Sequence, residues 1–308
     1  MEEYEYTHTK LAENFWNGCV EKNNIGVEKD KTLKIADENG QICEESIKSI
    51  RYCLYRALKD FTDRTTTKSY PKQPLGPANK LNRLEGAGFL ANFIEYFKSR
   101  PKDLAEFDEW HHTMCEKFLD IFKNDYKDLK YGKAQKIVNM TFKNIYCLDG
   151  AEKYEEYFEH CHVPLDSLVL EWVCRTGLKK NYPRNDPPRL AKCHCPSWSN
   201  LLYKEGEYPK KEWSYYYIDI QTWFRKYFLM KTKDSDNRWT PFKAEFVIWP
   251  QIQFELAAEG LYSQLFAIDK DNGSLGKPEA FKKKSVQEKI DYFKTISFDH
   301  VDFIKYDL

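Results

Sequence analysis

The fold is decided by the stretch YGKAQKIVNMTFKNIYCLDGAEKYEEYFEHCHVPLDSLVLEWVCRTGL, which spans residues 131–178. Its first part places mostly apolar residues at intervals of three and four, the spacing that puts side chains on one face of a 3.6-residue helix. These residues are Ala134, Ile137, Val138, Thr141, Ile145 and Leu148. The pattern predicts a helix with one face in the core.

A second helix is predicted after Pro164. Asp166 lies where its carboxylate can accept the first backbone N–H groups of that helix, as N-cap residues do. Gly177 is expected to end the helix, because glycine readily adopts the left-handed conformation found after helix C-termini. The apolar face of this helix consists of Leu165, Leu168, Val169, Trp172 and Val173.

Four polar residues of the first helix lie within about a third of a turn of one another, since each residue advances the side chain by about 100°. They are Lys133, Lys136, Asn139 and Lys143. A cationic stripe of this kind is usually a solvated helix face, and Asp166 is fully explained as a helix cap. Periodicity alone therefore assigns no chemistry to these residues.

The runs AQKIVNMTFKNIY and HVPLDSLVLEWVCRTGL resemble the catalytic segment of helix-hairpin-helix DNA glycosylases, in which a lysine-bearing helix precedes an aspartate that opens the next helix. The similarity is greatest to the archaeal 8-oxoguanine DNA glycosylase branch. The resemblance implies that Lys136 and Asp166 are catalytic, and it departs from the family at residues 128–133. There DLKYGK, with one glycine, replaces the glycine-rich hairpin that presents backbone N–H groups to a DNA phosphate.

The chemistry implied by this resemblance suits these residue types. A lysine amine that is desolvated or crowded by cations has a lowered pKa and can attack the sugar C1′ as the base leaves. An aspartate at a helix N-terminus can stabilise the cationic sugar. Lys133, Asn139, Lys143 and Trp198 are then the expected substrate-binding residues; Trp198 or Trp223 would stack on the flipped base.

The expected activity is that of a DNA N-glycosylase, with or without lyase activity. Whether the chain is catalytic, and whether Lys133 or Lys136 is the nucleophile, stays open at this point. The 48 basic and 48 acidic residues cancel, so the chain lacks the global positive field of many nucleic-acid binders. DNA is the expected partner. The neutral charge favours an alternative, a non-catalytic protein that binds a nucleic acid, a nucleotide or a protein partner, such as a phage-conflict factor or inhibitor.

A third class is a metal-binding protein. The triplets HCH and CHC contain the candidate ligands His160, His162, Cys193 and Cys195, and zinc takes four N or S ligands. Alternate residues bend poorly toward one ion, and buried free cysteines are common, so this pattern is a weak predictor. Cys161, between two histidines, is a still weaker candidate nucleophile.

No cofactor is expected, because the sequence has neither a phosphate-cradling glycine loop nor a dinucleotide-binding fingerprint. Nine cysteines and a start, MEEYEYTHTK, without an apolar signal region predict a cytoplasmic location. No apolar run approaches the 18 residues of a membrane span, so no membrane association is expected.

The remaining pattern predicts a mostly α, multi-helix globular fold with few short strands, which the resemblance would make glycosylase-like. Residues 242–249 fit either a strand or a buried helical turn. A helical core domain is expected over residues 1–231, with residues 232–308 as a C-terminal extension packed on it. Further helices are predicted at residues 4–23, 44–64, 80–99, 102–124, 212–230, 252–266 and 285–295.

Overall fold

The chain is mostly α-helical in a computed structural model, which confirms the predicted fold class. The predicted helix at residues 4–23 lies outside the described residues, as do Cys193 and Cys195. The structure describes residues 35–61, 75–99, 103–126, 129–148, 150–179, 198–204, 216–231, 239–269 and 275–295.

Ten α-helices are described, and two short 3-10 helices cover Ala151–Tyr157 and Trp198–Asn200. The stretch at residues 242–249 belongs to a long helix. Over the described ranges, the only β pairing is one parallel bridge between Leu202 and Tyr216. The α-helices are α1 (Glu44–Asp60), α2 (Pro77–Gly86), α3 (Phe89–Lys98), α4 (Leu104–Phe122), α5 (Tyr131–Tyr146), α6 (Ser167–Lys179), α7 (Tyr217–Lys231), α8 (Pro241–Ile268), α9 (Pro278–Lys282) and α10 (Val286–Thr295).

The described residues divide into two compact units between Phe246 and Val247. The first unit contains α1 to α7 and the first turns of α8. Within it, α5 packs against α1, α4 and the Trp198–Asn200 turn. The organising stretch of the sequence therefore supplies the central helix of this unit.

Helix α5 is buried on nearly all sides, with only Lys136 and Met140 partly exposed. The predicted core face is confirmed, because all six of its residues are buried. Lys133, Asn139 and Lys143 are buried as well. The interpretation of these three as part of a solvated stripe is wrong, because neighbouring elements also cover the polar side of the helix.

Two of the differences from the predicted helix boundaries concern glycine. Helix α6 continues through Gly177 to Lys179, since a glycine inside a helix costs only about 1 kcal/mol relative to alanine. The helix predicted at residues 80–99 is instead two helices. Gly88 separates them in a left-handed conformation with φ of 71°, which interrupts the helical path.

The second unit has its own small core, in which the rings of Tyr262 and Phe281 stack with centroids 4.0 Å apart. Lys289 is fully buried there, with Nζ 2.7 Å from Glu259 Oε1 and 3.2 Å from Glu255 Oε2. None of the helices in the described part of the chain has the length and apolar character needed to cross a membrane.

Candidate functional site

Lys136 and Asp166 meet at the junction of α5 and α6. The Lys136 Nζ lies 3.5 Å from Asp166 Oδ2, and the two side chains are 20% and 14% exposed. Asp166 Oδ1 accepts the backbone N–H groups of Leu168 at 2.9 Å and Val169 at 3.0 Å. One carboxylate oxygen therefore caps α6, as predicted, while the other faces the amine.

Trp198 lies over the amines of two lysines. Its ring centroid is 4.3 Å from Lys133 Nζ and 4.9 Å from Lys136 Nζ, within the range of cation–π attraction. Gly132 allows this approach, because a Cβ atom there would lie 1.9 Å from the Trp198 carbonyl oxygen. Its N–H also donates to Leu201 O at 3.1 Å. The first turn of α5 and the 198–201 segment are thus in direct backbone contact.

Lys133 has an altered protonation equilibrium. Burial, together with the nearby positive charge of Lys136, lowers the pKa of Lys133 from 10.5 to about 8. Both causes act against the ammonium form, because it is poorly solvated and is repelled by a like charge. The crowding of cations that the sequence predicts around this site therefore occurs between Lys133 and Lys136.

Lys143 lies in the interior and pairs with Glu245. Burial raises the pKa of Glu245, and the Lys143 charge opposes that rise. The Lys143 ammonium also lies 4.8 Å from the centroid of the Phe246 ring. The structure thus places Lys143 in a buried ion pair rather than at a substrate-accessible surface.

Asp60, the last residue of α1, is a further acid near the Lys136–Asp166 pair. It is solvent-accessible, yet the surrounding protein desolvates it and raises its pKa, while the charges of Lys136 and Arg56 act in the opposite direction. Sequence reasoning did not single out this residue. The sequence did contain a signal, because a negative charge in the last turn of a helix interacts unfavourably with the helix dipole.

Asn139 does not face the Lys136–Asp166 pair but enters an interior hydrogen-bond network. Its side chain is buried and lies 2.9 Å from His111 Nε2, from Gln135 Oε1 and from the Tyr217 hydroxyl. A longer bond of 3.3 Å reaches Val163 O. This placement contradicts a direct contact between Asn139 and a sugar or base at Lys136.

His162 continues this network toward the surface. Its Nδ1 lies 2.7 Å from the Tyr217 hydroxyl, and its Nε2 lies 2.8 Å from Asp108 Oδ1. Burial lowers the pKa of His162 to about 4. Although burial alone would raise the pKa of Asp108, hydrogen bonds from His162 and Arg225 bring it well below its usual range.

The direction of these hydrogen bonds follows from the backbone. The Leu165 N–H donates to Gln135 Oε1, so the Asn139 atom beside that oxygen is the NH₂ group, which also donates to Tyr217. Asn139 Oδ1 then accepts from His111 Nε2–H.

The ionised Asp108 carboxylate can only accept, so the neutral His162 ring carries its proton on Nε2 and donates to Asp108, and His162 Nδ1 accepts from the Tyr217 O–H. Arg225 Nη2, 2.6 Å from His162 Nε2, donates to Asp108 Oδ1, also at 2.6 Å. A continuous, directional line of bonds therefore joins Asp108 to the interior.

The metal-binding interpretation has no support in the described part of the chain. Both ring nitrogens of His162 are committed to Tyr217 and Asp108, and His160 is partly exposed. No group of three or more His, Cys, Asp or Glu side chains among the described residues could hold a metal ion. Burial also raises the pKa of the Cys161 thiol well above its usual value, which disfavours a nucleophilic thiolate.

Two further features bear on ligand binding. Trp223 is buried in an aromatic cluster with Trp172 and Tyr227, so its ring is a core element. A cavity of about 280 Å³ is present, but the Lys136–Asp166 pair does not contribute to its wall. That wall is formed by His112, Glu116, Leu119, Leu129, Lys130, Tyr131 and Leu202.

The chain matches no protein-family model, no curated protein and no solved structure at a significant level. Fold and site together define an all-α protein with a lysine–aspartate pair beside a tryptophan. Any assignment of function therefore depends on the chemistry of these residues.

Proposed function

We propose that this protein is a DNA glycosylase-like enzyme that acts on a flipped nucleotide, with Lys136 as the nucleophile and Asp166 as its electrostatic partner. The observation that carries the proposal is the 3.5 Å separation of Lys136 Nζ and Asp166 Oδ2. Both side chains are partly exposed, so a substrate atom can reach them, whereas the Lys133 amine, although its pKa is lowered, belongs to a buried side chain. The pair joins two helices at positions that lie 30 residues apart in the sequence.

The proposed reaction gives one role to Lys136 and two roles to Asp166. The unprotonated Lys136 amine bonds to C1′ while the glycosidic bond breaks and the base leaves with its electron pair. Opening of the sugar ring, in which the ring oxygen takes the proton that the amine has lost to Asp166, converts the adduct to a Schiff base. The Asp166 carboxylate stabilises the developing positive charge on the sugar and can accept the proton that the amine loses.

Lys133 and Trp198 keep substrate-binding roles in this proposal. Trp198 offers an aromatic ring for stacking beside the amines, and Lys133, although buried, adds positive charge to the field that attracts a phosphate. Asn139 and Lys143 lose that role and become interior residues that support α5. The six described cysteines carry free thiols, which supports the cytoplasmic location proposed with this activity.

Borohydride trapping tests the proposal. The protein is incubated with oligonucleotides that contain either 8-oxoguanine or a preformed abasic site, and borohydride reduces any Schiff base to a stable adduct. We expect an adduct that K136Q loses and D166N weakens. The matched control is K123Q, which removes an exposed lysine of the same unit and should retain the adduct. If neither oligonucleotide yields an adduct, the catalytic proposal is overturned.

The neutral net charge favours a second candidate, a non-catalytic binding protein. Such a protein would use the same helical surface for a nucleic acid, a nucleotide or a protein partner. It would bind an abasic oligonucleotide, if at all, without forming an adduct.

A further inference from the structure

Two glutamine side chains hold the extended segment that leads into Asp166. Gln221 Oε1 accepts from Val163 N at 3.0 Å, and its Nε2 donates to Val163 O at 2.8 Å. Gln135 Oε1 accepts from Leu165 N at 3.2 Å, and its Nε2 donates to Leu165 O at 2.8 Å. Each amide thus pairs with both backbone groups of one residue, as a neighbouring β-strand would.

This arrangement solves a local hydrogen-bonding problem. Residues 161–166 form no helix, and Val163 and Leu165 are fully buried, so their backbone groups need partners within the protein. Pro164 between them has no N–H to satisfy. The two amides therefore satisfy the backbone N–H and C=O groups of both Val163 and Leu165.

The two glutamines, Gln135 and Gln221, form a clamp on the segment, and this glutamine clamp is linked directly to the candidate site. Gln135 precedes Lys136 on α5, and Leu165 precedes Asp166 at the start of α6. The Gln135–Leu165 bonds thus join the residues immediately before the amine and the acid. Asn139 braces the same contact through Gln135 Oε1 and Val163 O.

We infer that Gln135 and Gln221 are positioning residues that fix the distance between the Lys136 amine and the Asp166 carboxylate. The inference rests on the proposed function for its catalytic meaning, while the geometry it describes can be tested separately. Both glutamines are fully buried and contact the backbone, so they act through Asp166 and not on a substrate. An error of about 1 Å in such a pair is enough to slow a reaction by about 100-fold.

Competitive acetylation with acetic anhydride, followed by mass spectrometry, measures the reactivity of the Lys136 amine without any substrate. D166N removes the carboxylate that holds the Lys136 amine in an ion pair, so Lys136 should acetylate several-fold faster in this variant. We expect Q135M and Q221M, which keep side-chain length but lose the amide, to accelerate Lys136 acetylation in the same way. Lys123, which is exposed, serves as the internal reference.

A double variant separates positioning from general loosening. If Gln135 acts through Asp166, Q135M adds nothing to Lys136 acetylation in a D166N background; further acceleration there would overturn the inference. The matched control is N144L. Asn144 is a buried amide on the same helix that donates to Cys53 O at 3.1 Å, so its loss should leave Lys136 acetylation unchanged.

The outcomes for the clamp and for the enzyme are distinguishable. If Q135M and Q221M, assayed well below their unfolding temperatures, acetylate Lys136 at the wild-type rate while D166N is faster, the clamp is excluded. If the acetylation results are as expected but no oligonucleotide is trapped, the clamp stands and the glycosylase proposal falls. Where trapping occurs, Q135M should slow it by about 10- to 100-fold with an unchanged apparent KM.

Discussion

The ammonium group of Lys133 is destabilised by burial and by a second positive charge. Replacing Lys136 with Gln removes the charge but not the burial, so the pKa of Lys133 should rise from about 8 and stay below 10.5. The measurement is the pH dependence of the Lys133 side-chain ¹³Cε shift by NMR. Lys123 does not contribute to the pKa shift of Lys133, so K123Q should not move the midpoint of the Lys133 titration. An unchanged midpoint in K136Q would show that the two amines do not interact.

The buried line of histidines gives the protein a specific acid sensitivity. In the folded state the pKa of His162 is about 4, whereas in an unfolded chain it is near 6.5, so the unfolded state binds more protons between these values. The free energy of unfolding should therefore fall as the pH drops from 6.5 to 4, by up to about 1.4 kcal/mol per pH unit for each such histidine. Urea denaturation at several pH values measures this slope.

H162Q should reduce the slope without abolishing it, because burial also lowers the pKa of His111 well below its ordinary value. Asp108 and Arg225 face His162, and the lowered pKa of Asp108 affects stability only below about pH 3.8. H160Q, at a partly exposed histidine two residues away, is the control and should keep the full slope. Equal slopes in H162Q and the wild type would contradict this account.

The 198–201 segment packs closely on α5 because Gly132 has no side chain. Gly132→Ala would place a methyl group 1.9 Å from the Trp198 carbonyl oxygen, and backbone atoms cannot move aside cheaply. We expect a loss of about 1–3 kcal/mol in the free energy of unfolding, together with faster acetylation of Lys133 and Lys136 as Trp198 is displaced.

The control for this steric effect is Gly86→Ala at the last residue of α2, where an added Cβ has no neighbour within 4 Å. That substitution should be neutral or stabilise by up to about 1 kcal/mol, because alanine favours the helix. The explanation fails if both alanine variants have the same stability.

The helices that position the site could be predicted because their signals are local. The core face of α5 follows from spacing, and the capping role of Asp166 follows from its place before an apolar run. The fate of the polar residues could not be predicted. Lys143 is buried in an ion pair with Glu245. That glutamate lies 102 positions further along the chain, and no short-range sequence pattern links the two residues.

The glutamine clamp could not be predicted from the sequence either, because its hydrogen bonds are also long-range. Gln135 and Gln221 look like ordinary polar residues in helices, and their partners lie 30 and 58 positions away. Pro164 does indicate an extended segment before α6. Which side chains hydrogen-bond to the backbone of that segment depends on how α5 and α7 are placed beside it. That placement is a property of the tertiary structure.

Within the second unit, one buried lysine pairs with two buried carboxylates. Lys289 bonds to Glu255 and Glu259, so K289M leaves two carboxylates buried without their cation. We expect a loss of about 3–5 kcal/mol in the free energy of unfolding, measured by chemical denaturation. The triple variant K289M/E255Q/E259Q removes the charges together and should recover most of this stability. No recovery would mean that the loss of stability in K289M does not come from the carboxylate charges left without Lys289.

For the whole molecule, equal numbers of acidic and basic residues predict weak non-specific binding to DNA. The glycosylase proposal still requires phosphate contacts at the site, so affinity for an abasic duplex should fall linearly with the logarithm of salt concentration. An affinity that salt does not change would instead favour a protein partner.

The near-complete burial of α5 has a consequence for any survey of tolerated substitutions. Most of its positions will reject replacement because the protein no longer folds, whatever their chemistry. Lys136 and Met140 are the two residues of that helix that are partly exposed to solvent. Intolerance at Lys136, in chains that remain folded, would thus be a signature of selection for activity, while intolerance at its neighbours carries no such meaning.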